Sequence, residues 1–173
     1  MTQTFNGGNS SRLSSGETLS KRWQLLTICS LGFWLSSSLL LDLVIMPSLW
    51  ATGMMESSGF ASASYSIFWI FNRVELVCAA AALSGTLALT NLDKISSYLG
   101  QKMLASAVML LAISLSYTFI LTPYMSGLGL DLDIFTTTKF LSADMNQMHS
   151  IYWVLEASKL GIMAMFLSWF KQD

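Results

Sequence analysis

The chain has 173 residues, of which 53% are hydrophobic and only 11% are charged. A soluble domain carries about 25% charged residues, so this composition excludes an ordinary globular protein and indicates a membrane protein. Nine basic and ten acidic side chains give a formal charge of -1, which lacks the basic excess of a nucleic-acid-binding protein. One His and two Cys exclude a zinc finger, a disulfide scaffold and a bis-histidine haem site within one chain.

The N-terminal segment, residues 1–22, is polar and rich in Ser and Gly. It has no apolar run with which to bury surface, so we predict a disordered tail on the cytoplasmic side. The apolar segment that follows begins near Trp23 and is too long for a signal peptide.

Four apolar stretches follow the tail, at approximately 23–46, 59–90, 103–121 and 145–170. Each reaches the roughly 20 residues that a helix needs to cross about 30 Å of hydrocarbon. Because lipid offers no hydrogen bonds to the backbone, helix is the expected structure for each stretch. We therefore predict an all-α, four-helix bundle over residues 23–171, integral to the membrane. Pro47 and Pro123 lie at the ends of the first and third stretches, where they are expected to stop those helices.

The basic residues predict the topology of this bundle. Lys139 lies on one side of the membrane, and six basic residues lie on the other: Arg12, Lys21, Arg22, Lys94, Lys102 and Lys171. The positive-inside rule then predicts that both termini are cytoplasmic. A bacterial plasma membrane or a thylakoid membrane is the expected location.

Polar side chains inside the apolar stretches are the most informative feature of the sequence. The predicted intramembrane polar core consists of Asp42, Asn72, Arg73, Glu75, His149, Glu156 and Lys159. A charge at mid-helix is unfavourable by about 3 kcal/mol on insertion scales, so the charged members are expected to face the bundle interior and to pair. Arg73 lies at a depth similar to that of Glu156, and we expect it to meet Glu156 or Asp42. The alternative is that these charges only fix the register of the helices.

Methionines cluster near the ends of the helices that this topology places outside. Met46, Met145 and Met148 lie near His149, and Met145 and His149 share a helical face. Thioether and imidazole ligands suit Cu(I), so a copper site is one hypothesis for these residues. The alternative is that the methionines fill packing gaps and that His149 hydrogen-bonds a backbone carbonyl or Asp42. The favoured interpretation predicts no cofactor, with Cu(I) as the alternative.

Small residues recur at four-residue spacing in three of the stretches. The pairs are Gly32 with Ser36, Ala81 with Gly85, and Ala157 with Gly161. Such pairs allow two helices to approach closely, either within the bundle or in contact with another chain. Besides the lipid bilayer, the expected partners are therefore other membrane proteins or a second copy of this chain.

Short apolar motifs in this chain resemble those of a known family. They are Phe33-Trp34 through Leu43-Val44-Ile45-Met46-Pro47, Ile67-Phe68-Trp69-Ile70-Phe71, Leu121-Thr122-Pro123 and Met148-His149-Ser150. Between about Trp23 and Phe170, the chain resembles the transmembrane-protein-205-like proteins, a four-helix membrane domain of unknown function. The chain has Ser36-Ser37-Ser38 where that family often has paired glycines in its first helix. The resemblance implies a four-helix membrane fold and no established activity, and a layout shared with copper-resistance-type membrane proteins keeps the copper hypothesis open.

Three functions are compatible with these features. The favoured one is a non-enzymatic accessory or assembly protein that acts through helix contacts. The second is a small transporter or a metal-handling protein that uses the intramembrane polar core. The third is a haem-linked membrane oxidoreductase, for which a single His would need a Met as the second iron ligand.

Overall fold

The computed structural model describes residues 7–54, 59–92, 95–127 and 139–170, with side chains described for all of these except 7–15, 61, 97 and 139–146. The regular elements of the described part are all helical. They are α1 (Gly7–Leu40), α2 (Met46–Ala51), α3 (Phe60–Asn91), α4 (Ser97–Ser116), α5 (122–127) and α6 (Lys139–Trp169). A first π segment (Leu41–Ile45) joins α1 to α2, and a second π segment (Tyr117–Leu121) joins α4 to α5.

Four helical stretches are long and apolar enough to cross a membrane: Gly16–Ala51, Ser62–Asn91, Tyr98–Gly127 and Gln147–Trp169. They coincide with the four apolar stretches of the sequence, and the prediction of an all-helical chain with four candidate spans is confirmed. Between 22% and 33% of the most apolar window of each span is buried inside the protein, so most of its apolar surface faces outward. This architecture is compatible with a multi-pass membrane protein.

The start of α1 corrects the prediction of a disordered tail over residues 1–22. The helix begins at Gly7, and residues 1–6 lie outside the described part. Helix propagation requires far less free energy than nucleation, so the apolar span can extend its helix into the preceding polar residues. Glu17 and Lys21 support that extension with an exposed pair of 3.4 Å, one helical turn apart.

The two prolines do not stop their helices, which corrects a second prediction. Each proline follows a π segment, and the helical backbone continues beyond it. In the wider π turns, the backbone N–H groups of Met46 and Thr122 donate to the carbonyl oxygens of Leu41 and Tyr117. A proline lacks an N–H group and collides with the carbonyl four residues earlier, so a locally widened helix accommodates it.

The four spans pack as a ring, in which α1 and α4 each contact both α3 and α6. The main apolar core consists of Leu31, Trp34, Cys78, Ala79, Ala82, Met103, Ala107, Leu110, Met163 and Phe166. Among the predicted small-residue pairs, Gly85 lies inside the bundle, where a Cβ atom would collide with the side chain of Thr27 on α1. The Cβ positions of Gly32 and Gly161 have open space. Close approach of α1 and α3 therefore depends on Gly85.

This contact predicts opposite effects for two alanine substitutions. Alanine at an open helical glycine favours the helix by about 1 kcal/mol, so Gly161→Ala should preserve or raise the thermal unfolding midpoint in detergent. Gly85→Ala should lower that midpoint, by an amount that corresponds to about 1–3 kcal/mol of overpacking. Removing the Thr27 side chain by Thr27→Ala should restore much of that loss. Equal midpoints for Gly85→Ala and Gly161→Ala would contradict the close contact.

Candidate functional site

Four charged side chains meet inside the bundle: Asp42 from the first π segment, Glu75 from α3, and Glu156 and Lys159 from α6. We refer to them as the buried charge cluster. Their exposed fractions are 5%, 1%, 1% and 2%, respectively. Glu156 and Lys159 are three residues apart and therefore share one face of α6, as the sequence predicts. Charged side chains are almost never buried to this extent unless they are paired.

Lys159 lies between two carboxylates. Its Nζ atom is 2.5 Å from Oε1 of Glu75 and 2.8 Å from Oε1 of Glu156. The Tyr117 and Trp34 rings lie beside the ammonium group, with their centroids 5.2 Å and 6.0 Å from Nζ. Among the described side chains, Lys159 is the one buried base. It supplies the positive charge that makes burial of its neighbours tolerable.

Glu75 is held mainly through one of its oxygens. Oε1 accepts hydrogen bonds from Trp34 Nε1 at 2.9 Å and from Ser38 Oγ at 3.4 Å, in addition to the bond from Lys159. Oε2 is buried and has no hydrogen-bond partner. Three donors on one oxygen stabilise the ionised form of Glu75, so the ion pair with Lys159 is the charged half of the cluster.

Asp42 and Glu156 form the other half. Tyr152 donates to Oδ1 of Asp42 at 2.8 Å, and Tyr117 donates to Oε2 of Glu156 at 3.0 Å. The two tyrosine rings are in contact, with centroids 5.6 Å apart, so the two carboxyl groups that they bind are neighbours in the bundle. Oδ2 of Asp42 and Oε1 of Glu156 are buried, and neither accepts a hydrogen bond, although the latter is close to Lys159. We refer to these two residues as the carboxyl pair.

The charge count of the cluster indicates what this arrangement can do. Three carboxylates and one ammonium group would carry a net charge of -2 if all were ionised. A net charge of this size is highly unfavourable in an apolar interior, where a buried group releases or takes up a proton instead. Two carboxyl groups that share a site keep one proton between them. A proton on the carboxyl pair would supply a donor where Oδ2 of Asp42 has none, and it would change the net charge from -2 to -1.

Two other predicted core residues differ in their placement. Asn72 is buried, and its Nδ2 atom donates to Oγ1 of Thr122 at 2.7 Å, a link between α3 and α5. Arg73 is exposed, with its guanidinium carbon 3.9 Å from the ring centroid of Trp69. The predicted pairing of Arg73 with Glu156 or Asp42 is therefore wrong. Adjacent helical residues point about 100° apart, so Asn72 takes the inward direction and Arg73 faces outward.

His149 was predicted to lie in the polar core, but its side chain is exposed on α6. Met46 and Met148 are half-buried, and Met148 packs against the apolar cluster around Tyr117. The side chain of Met145 lies outside the described residues. Within the described segments, no group of three His, Cys, Asp or Glu side chains could hold a metal ion. The copper site with thioether ligands stays a prediction.

Two members of the site were not predicted, the tyrosines Tyr117 and Tyr152. Tyr152 lies four residues before Glu156, so its position on the same face of α6 was open to the same spacing argument. Tyr117 carries no comparable signal, because it lies in an apolar run and its orientation depends on the second π segment.

No protein-family model, curated protein or solved structure matches this chain. The resemblance to the transmembrane-protein-205-like proteins stays a prediction.

Removing one partner of the Lys159–Glu75 ion pair should lower the free energy of unfolding more than removing both partners. Lys159→Met leaves the carboxylates of Glu75 and Glu156 without their counter-charge, and it should lower the free energy of unfolding in detergent by about 3–5 kcal/mol. The double change Lys159→Met with Glu75→Gln should lower it by less. Lys102→Met is the control, because this exposed lysine lies over the Tyr98 ring and makes no buried pair. A loss for the double change equal to the sum of the losses from Lys159→Met alone and Glu75→Gln alone would contradict the pairing.

Proposed function

We propose that this is a multi-pass membrane protein whose bundle interior binds and relays protons, as the proton-handling site of a small transporter. The observation that carries the proposal is the carboxyl pair. Asp42 and Glu156 are both buried, their tyrosine donors are in ring contact, and Oδ2 of Asp42 has no hydrogen-bond donor. Ionisable residues inside membrane spans commonly mark such pathways.

The distribution of polar groups around the cluster supports access from one end. Tyr152 lies one turn beyond Glu156, and the linked side chains of Asn72 and Thr122 lie beyond Glu75, all toward the end that holds Pro47 and Pro123. Apolar side chains line both directions, in the main core and in the cluster of Ile113, Tyr117 and Leu121. The buried hydroxyl groups of Thr27 and Thr86, on the side of the main core, donate to carbonyl oxygens of their own helices. Hydroxyl and amide groups that link different helices can pass protons by exchanging hydrogen bonds, so we propose that proton exchange occurs at the proline end.

The positive-inside pattern supports an orientation for this site. We infer from it that both termini are cytoplasmic and that the proline end is on the opposite side of the membrane. The proposed membrane is a bacterial plasma membrane or a thylakoid membrane. Single-cysteine variants at positions 12, 139 and 171 test this topology. A membrane-impermeant thiol reagent should label position 139 from outside and positions 12 and 171 only after permeabilisation. Labelling of position 139 from the cytoplasmic face alone would contradict it.

Infrared spectroscopy of the protein in lipid tests the proton-binding site. At neutral pH, the wild type should show the C=O stretching band of a protonated carboxyl group, shifted in D2O. Asp42→Asn should remove that band, because Glu156 can then ionise beside Lys159. Glu17→Gln is the control, since this glutamate is exposed and pairs with Lys21 on its own helix. A wild type without the band, or a band that persists in Asp42→Asn, would contradict the proposal.

A second candidate function, an accessory or assembly protein, is supported by the outward face of α6. Ala157 and Gly161 are exposed there, and nothing lies within 4 Å of a Cβ atom placed on Gly161. Small residues allow a helix of another protein to approach closely. Gly161→Leu should therefore abolish co-purification of any stoichiometric partner in mild detergent and leave the unfolding midpoint unchanged. The copper-handling and haem-linked functions stay predictions from the sequence.

A further inference from the structure

The lipid-facing side of α3 carries one cation in an otherwise apolar stripe. Arg73 is exposed on this side, between Ile70 and Val77, whose exposed fractions are 59% and 70%. In a membrane, these neighbours lie against hydrocarbon. An arginine in this setting is unfavourable unless its guanidinium group reaches water, an anion or a polar headgroup.

The contacts of Arg73 leave its hydrogen-bonding capacity unused. The guanidinium carbon lies 3.9 Å from the ring centroid of Trp69, and among the described residues it makes no ion pair or hydrogen bond. A guanidinium group has five N–H donors, and an aromatic ring satisfies its charge but not those donors. The cation therefore fits a ligand with several anionic oxygens.

The direction of the Arg73 side chain indicates where that ligand lies. Trp69 is four residues nearer the start of α3, which places the guanidinium group about 6 Å along the helix from the Arg73 backbone. Near that start, Ser62, Tyr65 and Ser66 are all exposed, and we infer that the polar boundary of the membrane lies at these residues, at the start of the candidate span. Ser66 is about 10 Å from Arg73 along the axis, so the guanidinium group lies about 4 Å below the boundary.

We propose that Arg73 and Trp69 form a binding site for the phosphate of a phospholipid in the leaflet at the start of α3. At this depth, phosphate oxygens can accept two parallel hydrogen bonds from the planar guanidinium group. The Trp69 ring, 45% exposed, lies beside the same site, where indole rings favour the headgroup region. An acidic residue on another membrane helix is less suited to this position, because it would have to be desolvated, whereas lipid phosphates lie at the adjacent boundary, within reach of a long arginine side chain. The site is independent of the buried charge cluster and of its proton chemistry.

Native mass spectrometry of the delipidated full chain tests this site, with phosphatidylglycerol as the probe. The wild type should bind one phosphatidylglycerol molecule more tightly than the others, and Arg73→Gln should weaken that first binding about tenfold, as expected for the loss of charge-assisted hydrogen bonds. Trp69→Leu should weaken it less. Lys102→Gln is the matched control, because it removes an equal charge from a lysine that also lies over an aromatic ring, 4.2 Å from the Tyr98 centroid. Its first binding should equal that of the wild type.

Several outcomes would overturn the proposal. Diacylglycerol with the same acyl chains should not replace phosphatidylglycerol, and equal binding of the two would show that phosphate is not recognised. Full competition by inorganic phosphate would show a site for a free anion. Equal weakening by Arg73→Gln and Lys102→Gln would show a general effect of charge. Retention of Arg73-dependent crosslinks to a carboxylate of another chain after lipid addition would show a protein partner. Both substituted side chains are exposed, so the variants should keep the helical circular dichroism of the wild type.

Discussion

The position of α6 depends on hydrogen bonds and ion pairs made by three polar side chains on consecutive turns. Tyr152 bonds Asp42, Glu156 accepts from Tyr117, and Lys159 pairs with Glu75. These contacts reach the first π segment, the second π segment and α3, so each of the other three spans is linked to α6. Lipid tails are as apolar as the helices, so burial of apolar surface does not drive helix association in a membrane, and specific polar contacts have a larger part in fixing register.

The two π segments place the carboxyl pair and its tyrosines. Asp42 lies within the first, and Tyr117 begins the second. Each segment precedes a proline that cannot accept a regular α-helical turn, and the additional residue rotates the helix by about 100° relative to an uninterrupted one. Pro47 and Pro123 therefore act on the site from a distance. They set the directions in which the Asp42 and Tyr117 side chains enter the bundle.

Much of the fold could be predicted from the sequence, because length and apolarity alone determine which segments can cross a membrane. The spacing of Glu156 and Lys159 also predicted a shared face. Which charged side chains pair inside the bundle could not be predicted. Arg73 and Lys159 carry the same charge inside apolar spans, and which one faces inward depends on the rotation of α3 and α6, which the sequence does not determine. The second π segment brings Tyr117 to Glu156, although nothing in the apolar span around Tyr117 distinguishes it from a lipid-facing tyrosine.

We propose that Asp42 and Glu156 hold a proton between them while Glu75 stays ionised beside Lys159. Solid-state NMR in lipid with 13C-labelled Asp and Glu measures this directly, because the carboxyl chemical shift distinguishes a protonated group from an ionised one. Asp42→Asn, Glu75→Gln and Glu156→Gln would assign the signals. We expect a protonated signal from the carboxyl pair and an ionised signal from Glu75 at neutral pH. Fully ionised signals from both Asp42 and Glu156 would contradict the claim.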